Sequence, residues 1–202
     1  MMKLGLTLAL IWMLSSADGA LECQVSRGSE TCASDEYCAT AAMRSNNITH
    51  QVKSCESSSM CKPNNQTLSF NFGDYTTTAL IHCCKTNNCN SEDVTYPDVQ
   101  IKNSLQCFTC GNDAACDKTV QCVGVQTRCF KGYVEANNTF PSLGCASPNL
   151  CTLLQLNKTS ALIGHINFTR PECCGTSFCN SAGIVNLSVA PMLLVLLFLI
   201  VY

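Results

Sequence analysis

Cys83-Cys84-Lys85-Thr86-Asn87-Asn88-Cys89-Asn90 and Cys173-Cys174-Gly175-Thr176-Ser177-Phe178-Cys179-Asn180 are spelled alike, 90 residues apart: two adjacent cysteines, four residues, a cysteine and an asparagine. Working outward, Cys32 and Cys122, Cys55 and Cys145, and Cys61 and Cys151 are also 90 apart, Cys38 and Cys129 are 91 apart, and Cys23 and Cys107 are 84 apart. The shortfall of six equals the separation of Cys110 from Cys116, which have no counterpart in the first run. Their joint absence is what a bond between them predicts, because losing one alone would strand a thiol. The 18 cysteines of this 202-residue chain therefore describe an internal duplication, eight in the first unit and ten in the second.

Units of ~70 residues bury too little apolar surface to be comfortably stable alone, and natural chains of that size add disulfides. A bridge closing about fifteen residues contributes ~3 kcal/mol in the chain-entropy model, so four or five per unit replace much of a missing core. Bridges on this scale belong to an oxidising compartment, and both ends of the chain agree. Residues 1–20 carry one early cation, Lys3, an apolar stretch over residues 4–14 and then small residues, the pattern of a cleaved signal peptide with cleavage after Ala17, Gly19 or Ala20. The only tryptophan, Trp12, lies within it.

Residues 189–202 form an uncharged apolar run preceded by Ser181, Ala182 and Gly183. This arrangement predicts that residues 181–202 are a signal exchanged for a glycosylphosphatidylinositol lipid, with attachment at Ser181 and Asn180 or Gly183 as alternatives. A single membrane span is the competing reading, against which stand Asn186, Ser188 and Pro191 within and beside the run.

The coarse structure reads as β. Leu68, Phe70 and Phe72 alternate with polar residues, Gly73, Asp74 and Tyr75 suit a turn, and residues 76–81 return as a β-branched, apolar run, which together spell a hairpin. Residues 127–134 and 163–169 read likewise as strands. Residues 91–104 lack cysteine, are polar and contain Pro97, and so read as the linker between the units.

The two Cys-Cys, four-residue, Cys-Asn endings resemble those of three-finger domains in the lymphocyte antigen 6 and urokinase receptor superfamily. The starts Leu21-Glu22-Cys23 and Leu105-Gln106-Cys107, with Cys110 beyond, resemble that family's first strand. The resemblance implies an all-β, small, disulfide-rich fold of two tandem three-finger, snake-toxin-like domains at residues 21–90 and 105–180. It also implies the pairing Cys23–Cys38, Cys32–Cys55, Cys61–Cys83 and Cys84–Cys89 in the first. In the second it implies Cys107–Cys129, Cys110–Cys116, Cys122–Cys145, Cys151–Cys173 and Cys174–Cys179. In such domains the asparagines matching Asn90 and Asn180 tie the last loop to the palm.

Chemistry of other kinds finds little support. The pair Cys107 and Cys110 has redox or zinc spacing, but in a secreted chain with an even cysteine count it reads as structural bridging. His50, His82 and His165 are scattered without a nucleophile or metal-ligand pattern. No catalytic residue, cofactor or metal is expected. The formal net charge is −2 with no basic run, which excludes a nucleic-acid partner on electrostatic grounds.

Sequons stand at Asn47, Asn65, Asn137, Asn157 and Asn167, and Asn47 and Asn137 fall at matching points of the two middle fingers. The chain is thus expected to be a non-enzymatic glycoprotein held by its lipid on the outer leaflet of the plasma membrane, with shedding or secretion as a further route, where it binds an extracellular protein. A soluble inhibitor resembling the superfamily's two-domain phospholipase inhibitors is the alternative. Met43 and Arg44 are candidate anchors in a middle finger. Glycans beside them oppose docking there, which directs attention to the first fingers, residues 23–32 and 110–122, with Arg27 and Lys118 as probes.

Overall fold

A computed structural model describes residues 20–46, 48–96, 101–110, 116–134, 140–156 and 168–181. The first unit contributes strands β1 (Glu22–Val25), β2 (Gly28–Thr31), β3 (Tyr37–Ser45), β4 (Ile48–Glu56), the one-turn helix α1 (Ser58–Cys61), β5 (Gln66–Asn71) and β6 (Thr76–Cys84). The second contributes β7 (Lys102–Thr109), β8 (Lys118–Val123), β9 (Arg128–Val134), β10 (Phe140–Ala146), helix α2 (Pro148–Gln155) and β11 (Phe168–Cys174). The first finger of each unit is a separate two-stranded hairpin, β1 with β2 and β7 with β8. The remaining strands form one antiparallel sheet of seven in the order β11-β9-β10-β5-β6-β3-β4.

Alternation sorts the larger apolar side chains to one face of the sheet. Leu68 and Phe70 on β5 lie opposite Ala79 and Thr77 on β6, and Ala39, Ala41 and Met43 continue the same face on β3. Along β5 the intervening Thr67, Ser69 and Asn71 fall on the other side, as a period of two requires. The hairpin spelled by residues 68–81 is present, with Phe72 N–H donating to the Tyr75 carbonyl across its turn and Gly73 at φ +87°.

Nine disulfides join Cys23–Cys38, Cys32–Cys55, Cys61–Cys83, Cys84–Cys89, Cys107–Cys129, Cys110–Cys116, Cys122–Cys145, Cys151–Cys173 and Cys174–Cys179. Every bridge stays within its own unit. Cys23, Cys32 and Cys38 make one buried sulfur cluster and Cys107, Cys122, Cys129 and Cys145 another. Beside each lies a buried asparagine. Asn90 accepts from Gln24 N–H and donates to the Gln24 and Ala39 carbonyls, and Asn180 repeats this with Phe108 and Phe130.

The two units are joined along a seam. Strand β10 pairs with β5, Cys145 opposite Asn71 and Ala146 opposite Phe70. Ser147 N–H donates to the Ser69 carbonyl at 2.8 Å while its hydroxyl accepts from Ser69 N–H at 3.1 Å. Buried Gln126 donates to the Ser69 hydroxyl, Asn149 donates to Gln66 Oε1 and the Thr67 carbonyl, and the Thr109 hydroxyl donates to the Phe72 carbonyl. A single core cluster joins Met43, Met60, Leu68, Phe70 and Ile81 of the first unit with Phe130, Leu150, Leu153 and Leu154 of the second. Phe72 packs against Phe130 and Phe168 at centroid distances of 5.6 and 5.8 Å. Two partial cores have merged into one, the physical answer to units too small to bury a core separately.

Three further readings are refined. Helix α2 adds to the β pattern, and its Leu150, Leu153 and Leu154 pack into the shared core. Strand β9 begins at Arg128 and β11 at Phe168, and residues 163–167 lie outside the described residues. Finally, the linker is not free. Ser91 and Asp93 bond Lys53, Val94 exchanges hydrogen bonds with Gln51, and the Tyr96 ring lies under the Arg44 guanidinium, so residues 91–96 are laid back over β3 and β4.

Candidate ligand-binding surface

The two first fingers stand outside the shared sheet. Strand β2 is exposed along its whole length, and Arg27 is exposed in the turn before it, where Gly28 takes φ +108°. On the other first finger Lys118 and Thr119 are exposed at the start of β8, while Cys107 and Cys122 fix its base in the second sulfur cluster. These hairpins therefore combine a covalently fixed base with a solvated length, an arrangement that offers shape and hydrogen-bonding edges to a macromolecule.

The middle finger of the first unit is arranged differently. Met43 is buried in the core and Arg44 is half-buried over Tyr96, so neither is displayed as an anchor. The strand that carries them lies between β4 and β6, which leaves its side chains only the core face or the face under the 91–96 segment.

Of the five sequons, only that at Asn65 falls among the described residues. Asn65 is exposed at φ +57°, with its side-chain oxygen 2.6 Å from His82 Nδ1. Asn47, Asn137, Asn157 and Asn167 lie outside the described residues, as do His165 and Gly183. His50 is exposed on β4. Asn180 is buried with its amide committed to backbone groups, and Ser181, half-buried, is the first residue past that attachment. Among the described residues no helix is long and apolar enough to cross a membrane.

The sulfur atoms of Cys23, Cys32 and Cys38 and of Cys107, Cys122 and Cys145 come close enough together to suggest metal ligation, but each of these cysteines is in a disulfide, which leaves no thiolate to bind an ion. A cavity of about 100 Å³ lies between Lys131, Glu172, Asn180 and the cysteines Cys173, Cys174 and Cys179. That is well short of the ~300–1,000 Å³ of small-molecule sites.

Comparison with known proteins matches the u-PAR/Ly-6 domain family at residues 17–92 and again at 103–182. The urokinase plasminogen activator surface receptor of Bos taurus is 31% identical over 110 residues, covering 50% of this chain and 32% of that protein. The chain thus aligns with about a third of the length of this relative.

Proposed function

The chain belongs to the u-PAR/Ly-6 domain family, and on that premise we propose that it is a non-enzymatic cell-surface glycoprotein that binds a protein ligand outside the cell. The observation that carries this reading is the pair of exposed first fingers projecting from a body closed by nine disulfides and one seven-stranded sheet. A hairpin pinned at its base loses little conformational freedom on binding, which is the main cost of recognition by a loop. The relative's name describes a surface receptor for a protein, a role of the same kind.

Attachment in this reading is through a glycolipid at Ser181, which the committed side chain of Asn180 favours over Asn180 itself. The sequon Asn65, exposed on the first unit, is a site for N-linked glycan, with Asn47, Asn137, Asn157 and Asn167 as the others.

The test begins on cells expressing the full chain. A phosphatidylinositol-specific phospholipase is expected to release the protein, and mapping of the released form to end in lipid-modified Ser181. Crosslinking to living cells then captures the ligand, and Arg27→Glu and Lys118→Glu are expected to weaken binding while Arg44→Gln leaves it intact. Recovery of peptides from residues 189–202 in the surface form would remove the lipid anchor from this reading. Binding lost only with Arg44→Gln would move the contact to the middle finger.

A further inference from the structure

The internal duplication supplies its own control for one feature. Subtracting 84 from Phe108 and 90 from Phe178 gives Gln24 and Asn88, and the structure holds each pair in the same place. Asn88 N–H donates to the Glu22 carbonyl as Phe178 N–H does to that of Gln106. Gln24 N–H is received by Asn90 as Phe108 N–H is by Asn180.

In the first unit the two side chains form a polar pair, with Gln24 Nε2 donating to Asn88 Oδ1 at 2.8 Å. In the second they form an aromatic pair with centroids 5.3 Å apart, and Phe178 is 38% exposed. Both Asn88 and Phe178 occupy left-handed backbone, at φ +53° and +63°. Asparagine tolerates that region, whereas a bulky residue there is an outlier. The exposed ring is thus held in backbone that asparagine tolerates better, and local violations of this kind cluster at functional sites.

The position of the pair identifies what the rings meet. Phe178 lies three residues before Ser181, and Phe108 is bonded through its backbone to Asn180, so both sit where the chain leaves the body. In the attachment proposed above the lipid replaces residues 182–202 and is joined at Ser181, only three residues beyond Phe178. The first unit has no such exit, because its chain turns back over β3 and β4 through residues 91–96. The polar pair accompanies the end that continues into protein, and the aromatic pair the end that carries the proposed lipid.

We propose that the Phe108–Phe178 ring pair is a membrane-contact site, resting on the headgroup and upper acyl region of a zwitterionic outer leaflet and fixing the tilt of the two-unit body on its anchor. The inference rests on the membrane attachment proposed above. Aromatic side chains settle in that interfacial layer, and a pair confined next to a tether meets it at high effective concentration.

Phe178→Trp tests this in the anchored protein, because the only tryptophan, Trp12, lies in the expected signal peptide and the unsubstituted mature protein serves as the blank. The substituted protein, purified with its anchor, is placed in phosphatidylcholine vesicles and compared with a soluble form ending at Ser181. The expected result is emission shifted to shorter wavelength and quenched by phosphatidylcholine brominated on its acyl chains, in the anchored form. Solvent-like, unquenched emission from a protein that the phospholipase still releases from cells overturns the contact and leaves the anchor standing. A protein that carries no lipid and does not stay on vesicles overturns both. Should Phe178→Trp not be secreted, Phe108→Trp, on the regular strand β7, reads the same two outcomes.

Discussion

Gly144 holds the two units together by lacking a side chain. A Cβ there would fall 2.1 Å from the Asn71 carbonyl oxygen and 2.8 Å from Phe72, directly in the seam. Gly144→Ala is therefore expected to push β10 off β5. Overpacking of ~1–3 kcal/mol combines with seam hydrogen bonds worth ~1 kcal/mol each, and a fall in melting temperature of roughly 10 °C follows. Thermal unfolding followed by circular dichroism reads it, and an unchanged midpoint would show that the seam relaxes freely. The residue at the matching position of the first unit is Ser54, on β4, which pairs only with β3. A side chain is tolerated at an open edge and not in a seam. That distinction was invisible in the sequence, where Gly144 looks like any other glycine. Asn180 is the opposite case, since the resemblance carried by the Cys-Asn ending implies its role in tying the last loop to the palm.

At the scale of elements, the extra bridge Cys110–Cys116 separates the two first fingers, its cysteines six positions apart in the chain. Closing so short a loop contributes ~2 kcal/mol in the chain-entropy model. The first unit folds its β1–β2 hairpin without one, so the paired substitution Cys110→Ser with Cys116→Ser is expected to be secreted with its other eight bridges intact. Its melting temperature should fall by roughly 5 °C, and non-reducing peptide mapping with calorimetry checks both points. Scrambled pairing would show instead that the bridge guides folding of the second unit.

The hairpin of β5 and β6 was legible because alternation and turn residues are local signals. Helix α2 is legible in principle: Ser147, then Pro148, then Leu150, Leu153 and Leu154 at helical spacing are a start signal with one apolar face. The pairing of β5 with β10 was not legible, since no cysteine crosses it and strand edges carry no sequence mark of their partner.

For the whole molecule, the shared core predicts one cooperative unfolding transition. Calorimetry of the disulfide-intact protein is expected to show a single peak, and residues 21–90 or 105–181 expressed alone should be less stable, because each half exposes one side of the seam that buries Phe72 against Phe130 and Phe168. Two separated peaks, each matching an isolated half, would mean that the seam contributes little. The arrangement of cross-links also decides how the molecule responds to a mechanical pull between a bound ligand and the tail. Within each unit most of the chain lies inside disulfide loops and cannot be drawn out, but residues 90–106, between Cys89 and Cys107, are bridged by none. Residues 91–96 of that stretch are held against β3 and β4 by the ion pair and hydrogen bonds of Lys53 and the exchange between Gln51 and Val94. Under tension the seam and residues 91–101 are the parts able to yield, releasing a leash of about 40 Å while the disulfide-fixed hairpins keep their shape.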